Sequence, residues 1–219
     1  MKPLSVRATA LVYIAMTWAV GLYANWILPA HRMVAARYDL AGRVIGYAPK
    51  ELVLAIVPLV SLLVIGGLAL LARFAPGRTR LARSTPVFDG VVLTLAALFF
   101  VIEIGISVKI SNPALDLLRY VFFAVAALLV VVGNGLGKLR QNSLFGVRTP
   151  WTLGDERVWD KTHRFTGWAM VLSGFVLIAI DVLTPAGAWL VVATVLCAAG
   201  PPLLGVAYSA RQWRREHAA

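Results

Sequence analysis

Charge is scarce in this chain of 219 residues. Asp, Glu, Lys and Arg make up 14% of it, whereas a soluble globular domain carries roughly 25%. Hydrophobic residues account for 60%. These two proportions exclude a large soluble domain and favour a membrane protein.

Cysteine and histidine are also rare, with one Cys and three His residues. The single thiol, Cys197, cannot close an internal disulfide, and its apolar surroundings predict a small packing residue. The chain has no HExxH pair, no serine nucleophile elbow and no phosphate loop of Walker spacing. We therefore expect no metal, no cofactor and no enzymatic activity.

The chain does have six long apolar runs. A bilayer core about 30 Å thick needs about 20 apolar residues per helix, and each run has about that length. Alternating apolar and polar segments, which are typical of membrane barrels, do not occur. The pattern predicts an all-α integral membrane protein with six transmembrane helices. The runs cover Thr9–Leu28, Glu51–Ala72, Phe88–Ile110, Leu115–Leu136, Phe165–Leu183 and Ala188–Tyr208.

The net charge of +11 indicates how the chain is oriented in the membrane. Basic residues gather in the cytoplasmic segments of membrane proteins. If the N-terminus is inside, most of the 21 Lys and Arg residues fall on the cytoplasmic side. We therefore predict that both termini are cytoplasmic. The charge also favours contact with the lipid bilayer and its anionic headgroups, and we expect no direct nucleic-acid binding.

The most informative segment is residues 142–168, which we call the elbow. Its sequence is NSLFGVRTPWTLGDERVWDKTHRFTGW, between the fourth and fifth apolar runs. Arg148 could clamp a partner's carboxylate or cap carbonyls of the preceding helix. Trp151 and Trp159 are expected to be interfacial anchors, and Asn142 is expected to turn the chain.

A single helix is predicted from near Leu153 to Asp181, because no breaker interrupts this stretch. Thr152 and Asp155 approximate a capping box at its start. At 1.5 Å per residue the helix is longer than the hydrocarbon core, so its first turns should project into the cytoplasm.

Three polar side chains near or inside the spans need an interpretation. Glu103 lies within the third run, where an ionisable group is costly. Two interpretations stay open for it: a buried packing contact, or a role in ligand or proton handling. Asp181 lies near the outer end of the fifth run and is expected to be hydrated. His163 has no second ligand at a convincing spacing and is expected to be a hydrogen-bonded structural residue.

The elbow resembles the SdpI immunity-protein family, and the resemblance covers roughly residues 115–208. The preceding half is similar to the DUF1648 domain at Asp39, Gly42, Gly46, Tyr47 and Lys50. This divides the chain into a DUF1648-like transmembrane hairpin with a long outer loop, 1–87, and an SdpI-like four-helix transmembrane region, 88–219. The SdpI resemblance is carried by Asn142, Phe145-Gly146, Arg148-Thr149-Pro150-Trp151-Thr152-Leu153, Glu156, Trp159, Thr162-His163 and Gly167, with Gly133-Asn134 and Lys138 upstream.

The resemblance implies a multi-pass protein of the bacterial cytoplasmic membrane. Family membership implies immunity to a secreted antimicrobial peptide that arrives from the outer side. It also implies docking of a cytoplasmic transcriptional repressor. The alternative from the residues themselves is a small transporter or ion pathway that uses Glu103. The candidate functional residues of the elbow are Asn142, Gly146, Arg148, Thr149, Pro150, Trp151, Glu156, Trp159 and His163.

Overall fold

The computed structural model describes residues 5–30, 32–39, 43–74, 85–112, 114–142, 145–184 and 188–217. Gly42 of the DUF1648-like pattern lies outside them. The described chain forms helices α1 (Val6–Ile27), α2 (Lys50–Phe74), α3 (Thr85–Ser111), α4 (Leu117–Leu136), α5 (Pro150–Gly154), α6 (Glu156–Leu183) and α7 (Ala188–Glu216), and strands β1 (Met33–Tyr38) and β2 (Val44–Pro49).

Six of these helices are long and apolar enough to cross a membrane, and α5 is the short exception. The prediction of six membrane-spanning helices is confirmed. Helices can cross a bilayer because most of their backbone groups are hydrogen-bonded within the helix. The chain is therefore a multi-pass membrane protein.

The spans pack as two groups of three. Helices α1, α2 and α3 contact one another, as do α4, α6 and α7, and α3 also packs on α4. The core of the first group includes Ala24, Leu54 and Ile110. The core of the second includes Ala126 and Leu177. The division at residues 87 and 88 stays a prediction.

Helices α4 and α6 cross at a pair of glycines. A methyl group on Gly133 would lie 2.7 Å from the carbonyl oxygen of Gly167, and one on Gly167 would lie 2.6 Å from the carbonyl oxygen of Gly133. Small residues at such a crossing let two backbones approach closely. Gly133 and Gly167 therefore set a close approach between α4 and α6.

The segment between α1 and α2 contains an antiparallel β-hairpin rather than turns alone. Strand β1 pairs with β2 from Met33 opposite Pro49 to Tyr38 opposite Val44. Val34 of this hairpin packs into the core that Ala24 and Leu54 share. The hairpin is thereby fixed to one end of the molecule, which we call the hairpin end.

The prediction of one continuous helix from Leu153 to Asp181 is wrong. The chain is extended at Asp155, with φ −142° and ψ 122°, so α5 ends there and α6 begins. The Asp155 carboxylate accepts the backbone N–H groups of Arg157, at 2.7 Å, and Val158, at 3.3 Å. These N–H groups have no partner within the helix, so capping by Asp155 stabilises the break.

Candidate functional site

The elbow closes around a buried histidine. The His163 side chain is 0% exposed, and its Nε2 accepts the backbone N–H of Val147 at 3.0 Å. Because Nε2 accepts, the ring proton is on Nδ1, which donates to the carbonyl oxygen of Trp159 at 2.8 Å. His163 is therefore a hydrogen-bonded structural residue, as predicted.

Gly146 allows the chain to pass against this histidine. Its φ is +103°, and a methyl group there would overlap Nε2 of His163. An L side chain is disfavoured at that φ whatever the space. Asn142 sets up the approach, since its Oδ1 accepts the backbone N–H of Phe145 at 2.8 Å. The turn predicted at Asn142 stays a prediction, because residues 143 and 144 lie outside the described residues.

Trp159 belongs to the interior of the elbow. It is 0% exposed, stacks on His163 with ring centroids 3.9 Å apart, and donates its indole N–H to the carbonyl oxygen of Leu139 at 2.7 Å. The prediction that Trp159 is an interfacial anchor is therefore wrong, because the chain before the elbow folds over it. Trp151 is half-buried, and its anchoring role stays a prediction.

A capping box forms three residues earlier in the chain than predicted, at Thr149 and Thr152. Thr149 and Thr152 exchange bonds, since each backbone N–H donates to the other hydroxyl, at 2.9 and 3.2 Å. The Thr149 hydroxyl also lies 3.2 Å from that of Ser209 on α7. The sequence suggested Thr152 and Asp155 instead, because the extended backbone at Asp155 was not visible in it. This box fixes α5 against the last span.

Gln141 ties the two sides of the elbow together, a contact that the sequence analysis missed. Its Nε2 donates to the carbonyl oxygens of Thr152 and Leu153, at 2.8 and 2.9 Å. These are carbonyls near the end of α5, which lack helical donors. In the sequence, the only sign of this contact was that a polar residue stands just before the elbow.

The outer face of the elbow is exposed and of mixed character. Arg148, Pro150 and Glu156 are exposed, and Leu153 is 44% exposed. The candidate residues thus divide into two sets. Asn142, Thr149, Trp159 and His163 are buried in the interior, and Gly146, Arg148, Pro150, Trp151 and Glu156 reach the surface. A rigid interior behind an exposed face is what presentation to a partner needs.

A second feature is a cavity of about 1010 Å³ between α3 and α4. Its walls are mostly apolar, and polar groups lie at the hairpin end of the bundle. There, Arg119 donates to the carbonyl oxygen of Thr184 at 2.6 Å and lies 3.5 Å from the carboxylate of Asp181. Asp181 is 1% exposed, so the prediction that it is hydrated is wrong. Pairing with Arg119 explains how the acid is accommodated there.

Glu103 lies apart from both features, in the middle of α3, and is 0% exposed. Its Oε1 lies 2.8 Å from the position of a methyl group on Gly21 of α1. The elbow and Glu103 are therefore separate places in the fold.

Comparisons with known proteins concern the C-terminal part of the chain. Residues 138–206 match the model of the SdpI/YfhL protein family. Immunity protein SdpI of Bacillus subtilis (strain 168) is 40% identical over 60 residues, which is 27% of this chain and 29% of that protein. No solved structure matches the chain. The resemblance of the N-terminal half to DUF1648 stays a prediction. The match thus includes the elbow, and it makes this part of the chain similar to the SdpI/YfhL family.

Proposed function

We propose that this chain is an immunity or signal-receptor protein of the bacterial cytoplasmic membrane, with both termini in the cytoplasm. It protects the cell against a secreted antimicrobial peptide, docks a transcriptional repressor, or does both. The observation that carries the proposal is that the segment matched to the SdpI/YfhL family contains the rigidly backed elbow. The relative's name, immunity protein, supports the same conclusion.

The exposed side of the elbow is the proposed docking face for a cytoplasmic protein. It combines the cation of Arg148, the anion of Glu156 and the apolar surface of Leu153 and Pro150. Mixed charge around apolar groups is suitable for a protein interface. Because hydrogen bonds of His163, Trp159 and Thr152 hold the interior behind it, less ordering entropy opposes binding.

The cavity at the hairpin end is the proposed receiving site for the peptide. Its walls are apolar, while Asp116, Arg119 and Asp181 supply both charges near one end. An amphipathic peptide could place apolar residues between α3 and α4 and pair its charged groups with this end. Helix α4 runs from the cavity to the elbow end, so peptide binding and repressor docking would be coupled through it.

The test is an immunity or reporter assay with single substitutions. Arg148→Ala and Trp151→Ala should each abolish reporter induction or immunity at normal protein level and insertion, because they remove parts of the docking face. Arg214→Ala, on the exposed end of α7, and Trp26→Ala, 82% exposed on α1, are matched controls. Full activity of both elbow variants would contradict the proposal.

An ion pathway through Glu103 is the second candidate, favoured by a buried acid in a span. It makes the opposite prediction. Glu103→Gln should then abolish function, while Arg148→Ala should have the smaller effect. Equal losses in Glu103→Gln, Arg148→Ala and Trp151→Ala would indicate a folding defect rather than either function.

A further inference from the structure

Three helices of the N-terminal group converge on Gly21. A methyl group there would lie 2.8 Å from Oε1 of Glu103 on α3 and 3.0 Å from the carbonyl oxygen of Leu54 on α2. The carboxyl group and the carbonyl oxygen therefore approach the same point of α1. Only a glycine leaves room for both.

The carbonyl oxygen of Leu54 lacks its usual helical partner. In an α-helix the N–H of residue i donates to the carbonyl of residue i−4. Residue 58 is a proline inside α2, and proline has no N–H to donate. Leu54 is 3% exposed, so its carbonyl oxygen is an acceptor buried at the meeting point of three spans.

The nearest side-chain oxygens are also without donors. Both carboxyl oxygens of Glu103 are buried and have no hydrogen-bond partner among the described residues, and the same is true of the Ser107 hydroxyl, one turn along α3. A carboxylate and a carbonyl oxygen that both approach Gly21 are both partly negative and repel each other. A bare carboxylate inside a bilayer also costs several kcal/mol. The junction therefore needs a positive charge or a donor.

The basic groups on the packed helices lie elsewhere: Arg73 is exposed in the last turn of α2, and the others have partners. The Lys50 amine donates to the carbonyl oxygens of Asn25, at 2.6 Å, and Leu28, at 2.7 Å. The Lys109 amine donates to the carbonyl oxygen of Leu115 at 2.6 Å. Arg7 lies 3.7 Å from Asp89. Glu51, the remaining described acid of α2, is exposed. None of these side chains forms a salt bridge with Glu103 within the described chain.

We propose that this junction is a proton-binding site. Glu103 takes up one proton from water and, as a neutral carboxylic acid, donates it to the carbonyl oxygen of Leu54. One hydrogen bond then satisfies the oxygen that Pro58 leaves without a partner and joins α3 to α2 across Gly21. Loss of the proton would place a negative charge against that carbonyl and push α3 away. The site is independent of the immunity function proposed above.

A double-mutant cycle tests the link between Glu103 and Pro58. Glu103→Ala should lower the Tm of the full chain in detergent, because the Leu54 oxygen loses its donor. Pro58→Ala supplies an N–H to that oxygen, so Glu103→Ala should lower the Tm much less in that background. Glu103→Gln, whose amide still donates, should retain most of the Tm. Equal effects of Glu103→Ala in both backgrounds would overturn the proposal.

Infrared spectroscopy gives a readout that does not depend on the Pro58 variant folding. The wild-type protein at neutral pH should show the C=O stretching band of a protonated carboxylic acid. Glu103→Gln should remove this band, and Glu51→Gln, the matched control at an exposed acid, should leave it. A wild-type protein without the band would overturn the proposal. A second result would also overturn the proposal. If replacing choline with Na⁺ at constant pH changed the Tm of the wild type but not that of Glu103→Gln, the junction would hold a metal cation instead of a proton.

Discussion

At the residue scale, four polar side chains inside the elbow are hydrogen-bonded, whereas the buried hydroxyls of Thr162 and Thr166 have no partner among the described residues. His163 uses both ring nitrogens, Trp159 uses its indole N–H, and Thr149 and Thr152 cap one another. Hydrogen bonds between buried groups specify one arrangement of the groups that form them. We infer that the exposed face of the elbow keeps its shape with or without a partner.

Gly146→Ala should disrupt this interior more than any other single methyl group in the elbow. The left-handed φ of +103° costs about 1–2 kcal/mol for an L residue, and the methyl group overlaps His163 besides. We expect a lower Tm in detergent and a change in Trp fluorescence. Gly66→Ala is the control, because a methyl group there meets nothing within 4 Å. If both variants unfold at the wild-type temperature, the description of the turn is incorrect.

The sequence could predict some of these residue roles but not others. His163 had no second ligand nearby, so a structural role followed from the sequence. The burial of Trp159 could not be predicted, because it depends on the chain around Leu139 and Phe145 folding back over α6. Asp181 was misjudged for a similar reason, since its partner Arg119 lies on another helix.

At the element scale, hydropathy determined the spans and local geometry determined their ends. Six runs of about 20 apolar residues must cross the bilayer, so their number was predictable. The break at Asp155 and the β-hairpin were not, because each depends on short-range hydrogen bonds that carry no hydropathy signal. The hairpin also needs the core around Leu54 to hold Val34.

Asp155→Ala should destabilise the start of α6. It removes the acceptor for the N–H groups of Arg157 and Val158, and loss of such a cap costs about 1 kcal/mol. Hydrogen exchange of the first turn of α6 is the measurement, and it should become faster. Asp155→Asn should behave like the wild type, since an amide oxygen can also cap. Asp160→Ala, half-exposed within the same helix, is the control.

Gly133→Val should separate α4 from α6. Its side chain would meet the Gly167 carbonyl oxygen at 2.7 Å and the backbone nitrogen of Val171 at 2.9 Å, neither of which can move alone. We expect a lower Tm and less disulfide cross-linking between cysteine pairs placed on the two helices. Gly67→Val, in open space on α2, should change neither measurement. Unchanged cross-linking in Gly133→Val would mean that the glycines do not set the crossing.

At the scale of the whole molecule, the elbow and the polar end of the cavity lie at opposite ends of the bundle. Phe145 of the elbow packs on Phe88 at the start of α3, whereas the polar end of the cavity includes Asn112 just after α3 ends. A receptor needs such a separation, because the signal and the response are on different sides of the membrane. Which end faces the cytoplasm is a prediction that rests on the distribution of the basic residues.

Reporter fusions determine that orientation. A reporter that is active only in the cytoplasm should be active when inserted at Gly154 and inactive when inserted at Gly46. The physical reason is that the basic residues around the elbow resist transfer across the membrane. Fusions after His217 should behave like those at Gly154. The opposite pattern would remove the basis for repressor docking.

Lys50 gives the hairpin end an unusual clasp. Its buried ammonium group donates to the carbonyl oxygens of Asn25, at 2.6 Å, and Leu28, at 2.7 Å, at the C-terminal end of α1. Lys50 is also the first residue of α2. The entry of one span is thus fastened to the exit of its predecessor without help from the intervening strands. A proteolytic nick between β1 and β2 should leave the two fragments migrating together in mild detergent, whereas the same nick in Lys50→Met should release them.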